Sequence, residues 1–331
     1  MALKRKLGFW DVFCIAAGAM ISSGLFVLPG QAFRQCGPAV VLAYALAALM
    51  VVPALLSKAE LATAMPRSGG SYFFVERSMG ALPGTLAGLA NWLSIALKSA
   101  FAMIGIGAFA RLIWPEAAIN WAWLIKGVAV TCCVVFTALN ILSVKLAGRA
   151  QVVMVAVLLA VLGVFVVAGL GNIRQHPNFD NFLAEGSYSV FATAALVFVS
   201  FGGLTKVASV AEEVRRPGRN LPRAMFLAFA VVSLLYVAGV LVVVGTVDAD
   251  ALGGGRYGNL TPLSIAAGSF LGRPGVVVLS VAAILAFVTT GNSGILAASR
   301  SPMAMSRDGL LPGGFDKLSR RFGTCLLYTS D

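Results

Sequence analysis

Ser22-Ser23-Gly24 and Ser200-Phe201-Gly202-Gly203 place small and hydroxyl-bearing residues in the middle of two long apolar runs. Neither cluster holds a base or an acid, so neither does covalent chemistry. What they offer is backbone. Glycine and serine are weak helix formers, and a helix that breaks at them frees N–H and carbonyl groups. Inside a membrane such a break is tolerated only where protein buries it or it lines a wet cavity. Pro29 fits the first turns of a second half-helix, whose start would aim the N–H groups of Ser23, Gly24 and Leu25 at an anion. Taken alone, the first cluster reads equally well as a small-residue packing face on an unbroken helix. The second cluster lies in the sixth apolar run, five runs later. Paired Gly-interrupted segments at corresponding places in two halves point to a transporter site built from an inverted repeat.

Three further groups could carry charge or bind it. Lys98 sits at the centre of the third apolar run, near the bilayer midplane, where a charge costs about 2.5–3.5 kcal/mol on insertion scales and should face the bundle interior. Thr289-Thr290-Gly291-Asn292-Ser293 gathers hydroxyl and amide groups, which either bond back to their own helix or supply oxygens to a cation. Glu212 and Glu213 precede Arg215, Arg216, Arg219 and Arg223; this is either a charge network able to latch a gate or a solvated run. A membrane enzyme would need paired carboxylates, a His cluster or a metal set. The chain has one histidine, His176, in a polar loop. Its five cysteines, Cys14, Cys36, Cys132, Cys133 and Cys325, form no spaced metal or redox pair. No catalytic residue, metal centre or resident cofactor is expected.

The elements that position these groups are membrane helices. Of 331 residues, 59% are hydrophobic and 11% charged, against about 25% charged in a soluble domain. Eight runs reach spanning length, at 9–33, 40–64, 84–112, 121–143, 150–171, 189–211, 224–247 and 275–298. Lys and Arg number 17 on the side of the N-terminus and 6 on the other, with Lys98 and Lys206 inside runs and uncounted. This places the N-terminus in the cytoplasm, and it explains the net charge of +12 without a nucleic-acid partner. Trp114, Trp121 and Trp123 suit an interfacial belt. Pro53 is a kink candidate in the second run, and Met65–Tyr72 reads as a tight loop.

The stretch Glu212-Glu213-Val214-Arg215-Arg216-Pro217-Gly218-Arg219-Asn220-Leu221-Pro222 resembles the loop after the sixth helix in the amino acid–polyamine–organocation superfamily. The first run is similar to that family's helix-one break, with Ser22 where a glycine is usual. Ala298-Ser299-Arg300 and Met305-Ser306-Arg307-Asp308-Gly309-Leu310-Leu311-Pro312 resemble its helix-eight ending. The resemblance covers about residues 7–323. It implies an all-α, LeuT-like inverted-repeat bundle with helices one and six discontinuous, and a permease working by alternating access in the plasma (inner) membrane.

In that reading the N–H groups of Ser23, Gly24 and Leu25, next to Ser22, hold the substrate carboxylate. Carbonyls near Ser200 and Phe201, at the Gly202-Gly203 break, accept from its amine; Phe201 closes over the site, and Met20, Ile21 and Leu204 line a side-chain pocket. With no acidic group in either break, a neutral amino acid is favoured over a cationic one. The family's helix-five lysine is matched here by Leu158. Coupling then falls either to sodium, held by the carbonyls of Gly18 and Ile21 with Thr289, Thr290 or Ser293, or to Lys98 as a titratable cation for protons. A channel, or a permease piece without activity, stays as an alternative. Family members usually have about twelve helices; residues 324–331 bear no likeness to the family and read as a frame or assembly artefact, leaving the second repeat incomplete.

Overall fold

The computed structural model describes residues 5–113, 121–142, 144–173, 182–183, 185–254 and 259–312. Lys4, Trp114, Ser143, Arg174, His176, Arg256, Lys317, Arg320, Arg321, Cys325 and the 324–331 tail lie outside these residues.

The helices are α1 (Phe9–Met20), α2 (Ser23–Phe26), α3 (Leu28–Cys36), α4 (Val40–Ala64), α5 (Ser71–Met79), α6 (Ala81–Ile113), α7 (Trp121–Leu142), α8 (Val144–Leu170), α9 (Gly186–Phe198), α10 (Gly203–Ser209), α11 (Pro217–Thr246), α12 (Ala249–Gly253), α13 (Pro262–Ala298) and α14 (Arg300–Arg307). No strand longer than an isolated bridge occurs among the described residues. Seven helical stretches among them are long and apolar enough to cross a membrane. The eight runs read from the sequence become seven because the first divides. Phe9–Met20 stands alone as a short apolar helix, and the remainder continues through a 3-10 turn at Gly37–Ala39 into α4 as Leu28–Ala64. The chain is an integral membrane protein.

From Val12 on, α1 is apolar on every face, as in a helix at the core of a bundle or one facing lipid. Val12 through Met20 are all buried without interruption, and α1 packs against α8, α10, α11 and α13. Around it, α4 and α11 pack on each other, while α6, α8 and α13 form a second group. α4 runs unbroken through Pro53.

Two connections differ from the sequence expectation. The 65–72 loop turns at Gly69 and Gly70, whose φ values of 105° and 54° exclude most side chains, and then enters the nine-residue helix α5. α13 is two arms: Gly272, at φ 65° and ψ −157°, folds the chain back so that the hydroxyls of Ser264 and Ser280 lie 3.3 Å apart. The membrane run starting near Gly275 is therefore preceded by a helical arm that packs on it.

Candidate functional site

Helix one breaks where its weak helix formers stand. The Ile21 N–H still donates to Ala17 at 2.8 Å. Ile21 then turns extended (ψ 95°), Ser22 leaves the helical region (φ −156°, ψ −123°), and winding resumes at Ser23. A break orphans carbonyls behind it and N–H groups ahead of it. The carbonyls find side chains. The Tyr236 hydroxyl of α11 donates to Met20 O at 2.8 Å, and the Thr290 hydroxyl of α13 donates to Gly18 O at 2.8 Å. Past the break, the Tyr44 hydroxyl of α4 donates to Gly24 O at 2.7 Å. Tyr44 and Tyr236 meet edge to face at 5.7 Å and brace both sides. Neither was singled out from the sequence, although a phenol within an apolar run needs an acceptor. Tyr236→Phe strips a donor from a buried carbonyl; a loss of about 1–3 kcal/mol is expected, read as a lower unfolding temperature in detergent.

On the N–H side, Ser23 and Gly24 open the new winding and so have no acceptor within it. Leu25, grouped with them from the sequence, already donates to Ser22 O at 3.2 Å. The open pair is therefore Ser23 and Gly24.

Helix six does not unwind. α9 passes through a 3-10 turn at Val199–Gly202 into α10, with helical dihedrals at Val199, Gly202 and Gly203. The expected gap is a tightened turn, and Gly203 serves close approach to helix one rather than disruption. A Cβ on Gly203 would lie 2.6 Å from Met20 N, and one on Gly24 would lie 2.5 Å from Ser200 Cβ. The two interruptions thus meet: Gly203 admits the backbone of helix one, and Gly24 admits the Ser200 side chain. The Phe201 ring is buried, 5.2 Å from Tyr236 and 5.7 Å from Phe229. The Phe201 carbonyl accepts from Gly203 N–H, and the Ser200 carbonyl faces Lys98 Nζ at 3.5 Å. Met20, Ile21, Ser22, Leu25 and Leu204 are buried around the crossing.

Beside it lies a polar seam between helices one, five and eight. Thr289 adds a 3.4 Å contact to Gly18 O, and the Ser293 hydroxyl donates to Thr290 O at 3.1 Å. The structure thus groups Gly18, Thr289, Thr290 and Ser293. It places Lys98 elsewhere, on Ser200. The cation on this seam is Lys206 of α10, whose Nζ donates to Thr290 O at 3.0 Å. As a charge inside an apolar run it was visible in the sequence. From α8, Gln151 and Val155 crowd Gly18 rather than Leu158, which is buried in the core. Gln151 donates to Thr289 O at 3.2 Å and accepts from Asn292 at 2.9 Å, and Asn140 of α7 donates to Asn292 at 2.9 Å.

A family model described as "Amino acid permease" matches residues 7–328. The chain belongs to that amino acid permease family. It is 29% identical to the branched-chain amino acid permease BcaP of Bacillus subtilis, over 99% of this chain and 72% of that protein. It is likewise 29% identical to the methylthioribose transporter of the same organism, over 98% and 72%. Its fold matches the crystal structure of MhsT in complex with L-phenylalanine, at a TM-score of 0.67 and 16% identity, covering 93% of this chain and 76% of that one. The architecture is thus a LeuT-like bundle.

In this permease chain the loop carboxylates turn inward. Glu213 pairs with Arg300 at 2.8 Å, both side chains being buried. Glu212 pairs with Arg307 at 3.0 Å and accepts from the hydroxyl and the backbone N–H of Ser68. Their partners are therefore not Arg215 and Arg216, the latch expected from adjacency. Val214 bridges to Leu7 in extended form, Arg215 N–H donates to Leu7 O at 2.8 Å, and α11 starts at Pro217. This geometry leaves Arg215, Arg216, Arg219 and Arg223 exposed. The ion pairs join the end of helix six to the end of helix eight.

Proposed function

We propose that the chain is a secondary active transporter that moves an amino acid by alternating access, with its N-terminus in the cytoplasm. The observation that carries this is the broken turn of helix one pressed on the 3-10 turn of helix six. Ser23 and Gly24 N–H groups at a helix start suit a carboxylate, and carbonyl ends at Ser200 suit an amine. Neither interruption holds an acidic side chain, which supports a substrate with no extra positive charge. Relatives at the same identity are named for a branched-chain amino acid and for methylthioribose, so the amino acid assignment rests on the family and on this zwitterion-sized polarity.

Coupling to an ion gradient belongs to the same proposal. The Gly18, Thr289, Thr290 and Ser293 oxygens are neutral donors of the kind a hard cation takes. Lys206 already places a positive charge on one of them, Thr290 O. This favours a resident ammonium, with protons as the coupling ion. In proteoliposomes the expected result is saturable uptake and counterflow of an amino acid, driven by an inward proton gradient and unchanged when choline replaces sodium. Uptake that requires sodium would reverse the coupling assignment; ion currents without counterflow would replace the transporter by a channel.

A further inference from the structure

A cavity of about 290 Å³ opens beside helix six, between α4 and α6. Its wall includes Phe201, Gly202 and Leu204, residues at or next to the helix-six turn described above. The wall also carries three lysines, Lys58 of α4, Lys98 of α6 and Lys206 of α10, with Asn91 and Ser94, and no acidic residue. Lys206 is 1% exposed. Its ammonium touches Thr290 O, and that of Lys98 touches Ser200 O; no carboxylate among the described residues pairs with either. Asn91 Nδ2 is buried and without an acceptor. Charged groups at membrane depth pair with an opposite charge or line a pathway. Here three lysines and an amide donor line one space whose wall carries no acidic side chain.

We propose that this cavity is a carboxylate-binding subsite, occupied by the side-chain carboxylate of a dicarboxylic amino acid. It rests on the transporter reading and narrows it. The lack of acids in the two interruptions disfavours an additional positive charge on the substrate; it is no obstacle to an additional negative one. Lys98 and Lys206 would donate to the carboxylate oxygens, as charge-assisted bonds, and Asn91 would add a neutral donor. This replaces the neutral side chain expected from the sequence.

The test measures binding of L-glutamate and L-aspartate, against L-glutamine and L-asparagine, to the purified full chain, with sodium acetate and sodium chloride as separate anion arms. The acid is expected to bind at least about tenfold tighter than its amide, the factor carried by 1.4 kcal/mol. Lys206→Gln and Lys98→Gln should each erase that preference, and Lys206→Arg should keep it. Thermal unfolding reports whether each variant folds; if Lys206→Gln does not, Lys98→Gln decides. Amide binding that rises with acetate or chloride, and loses this dependence in the variants, supports the same subsite filled by a separate anion. Equal binding of acid and amide with no anion effect overturns the subsite and leaves the transporter standing. No binding of any amino acid overturns both.

Discussion

Glu213→Leu lowers stability by about 3–5 kcal/mol, the cost of removing one partner from a buried ion pair. Arg300 is fully buried, and its guanidinium contacts Glu213 through both Nε and Nη2 at 2.8 Å. With leucine there, the guanidinium keeps its desolvation penalty and loses the Glu213 carboxylate. Arg300→Met in the same chain removes the stranded charge and restores most of the loss, since an apolar pair of similar volume often replaces a buried ion pair without cost. Thermal unfolding of the two single variants and the double variant reads the coupling directly. Additive losses would mean that the pair is not what joins helix six to helix eight.

Gly24→Val weakens substrate binding by about 100-fold. Even the first carbon of a side chain would stand 2.5 Å from Ser200 Cβ and 2.6 Å from the Tyr236 hydroxyl. The broken turn must then move off helix six by the order of 1 Å. A misplacement of that size costs about 100-fold where groups must converge on a small molecule. Gly24→Ala has a smaller effect in the same direction. Ser200→Gly, which removes the nearest obstructing atoms, recovers part of the binding lost in Gly24→Ala. If Gly24→Val binds substrate as the parent does, the crossing is packing and not a site.

Much of this was readable from residue order. Ser22-Ser23-Gly24 located the helix-one break because a second such cluster stands at the corresponding place in the sixth run, which a packing face on a single helix does not require. The same logic over-read helix six. Gly202 and Gly203 also sit mid-span, but Gly203 serves contact with Met20, and a 3-10 turn differs from an α-turn by dihedral changes that only packing decides. Glu212 and Glu213 were legible as important and misread in their partners. Proximity along the chain favoured Arg215 and Arg216, whereas Arg300 and Arg307 lie 87 and 95 positions away. Gln151 and Asn292 meet only once helices five and eight are packed. Lys206 differs: a lysine amid Leu204 and Val207 is visible inside an apolar run, and the sequence reading assigned it no role.

The central claim is that exposed peptide dipoles at the crossing of helices one and six recognise both ends of a zwitterion. Its most direct measurement is competition for the bound amino acid on the purified protein by two blocked analogues, the methyl ester and the N-acetyl derivative. The crossing predicts that neither analogue displaces the parent amino acid, because each removes one of the two charges that the backbone groups meet. Displacement by both at the parent's own concentration range would contradict it.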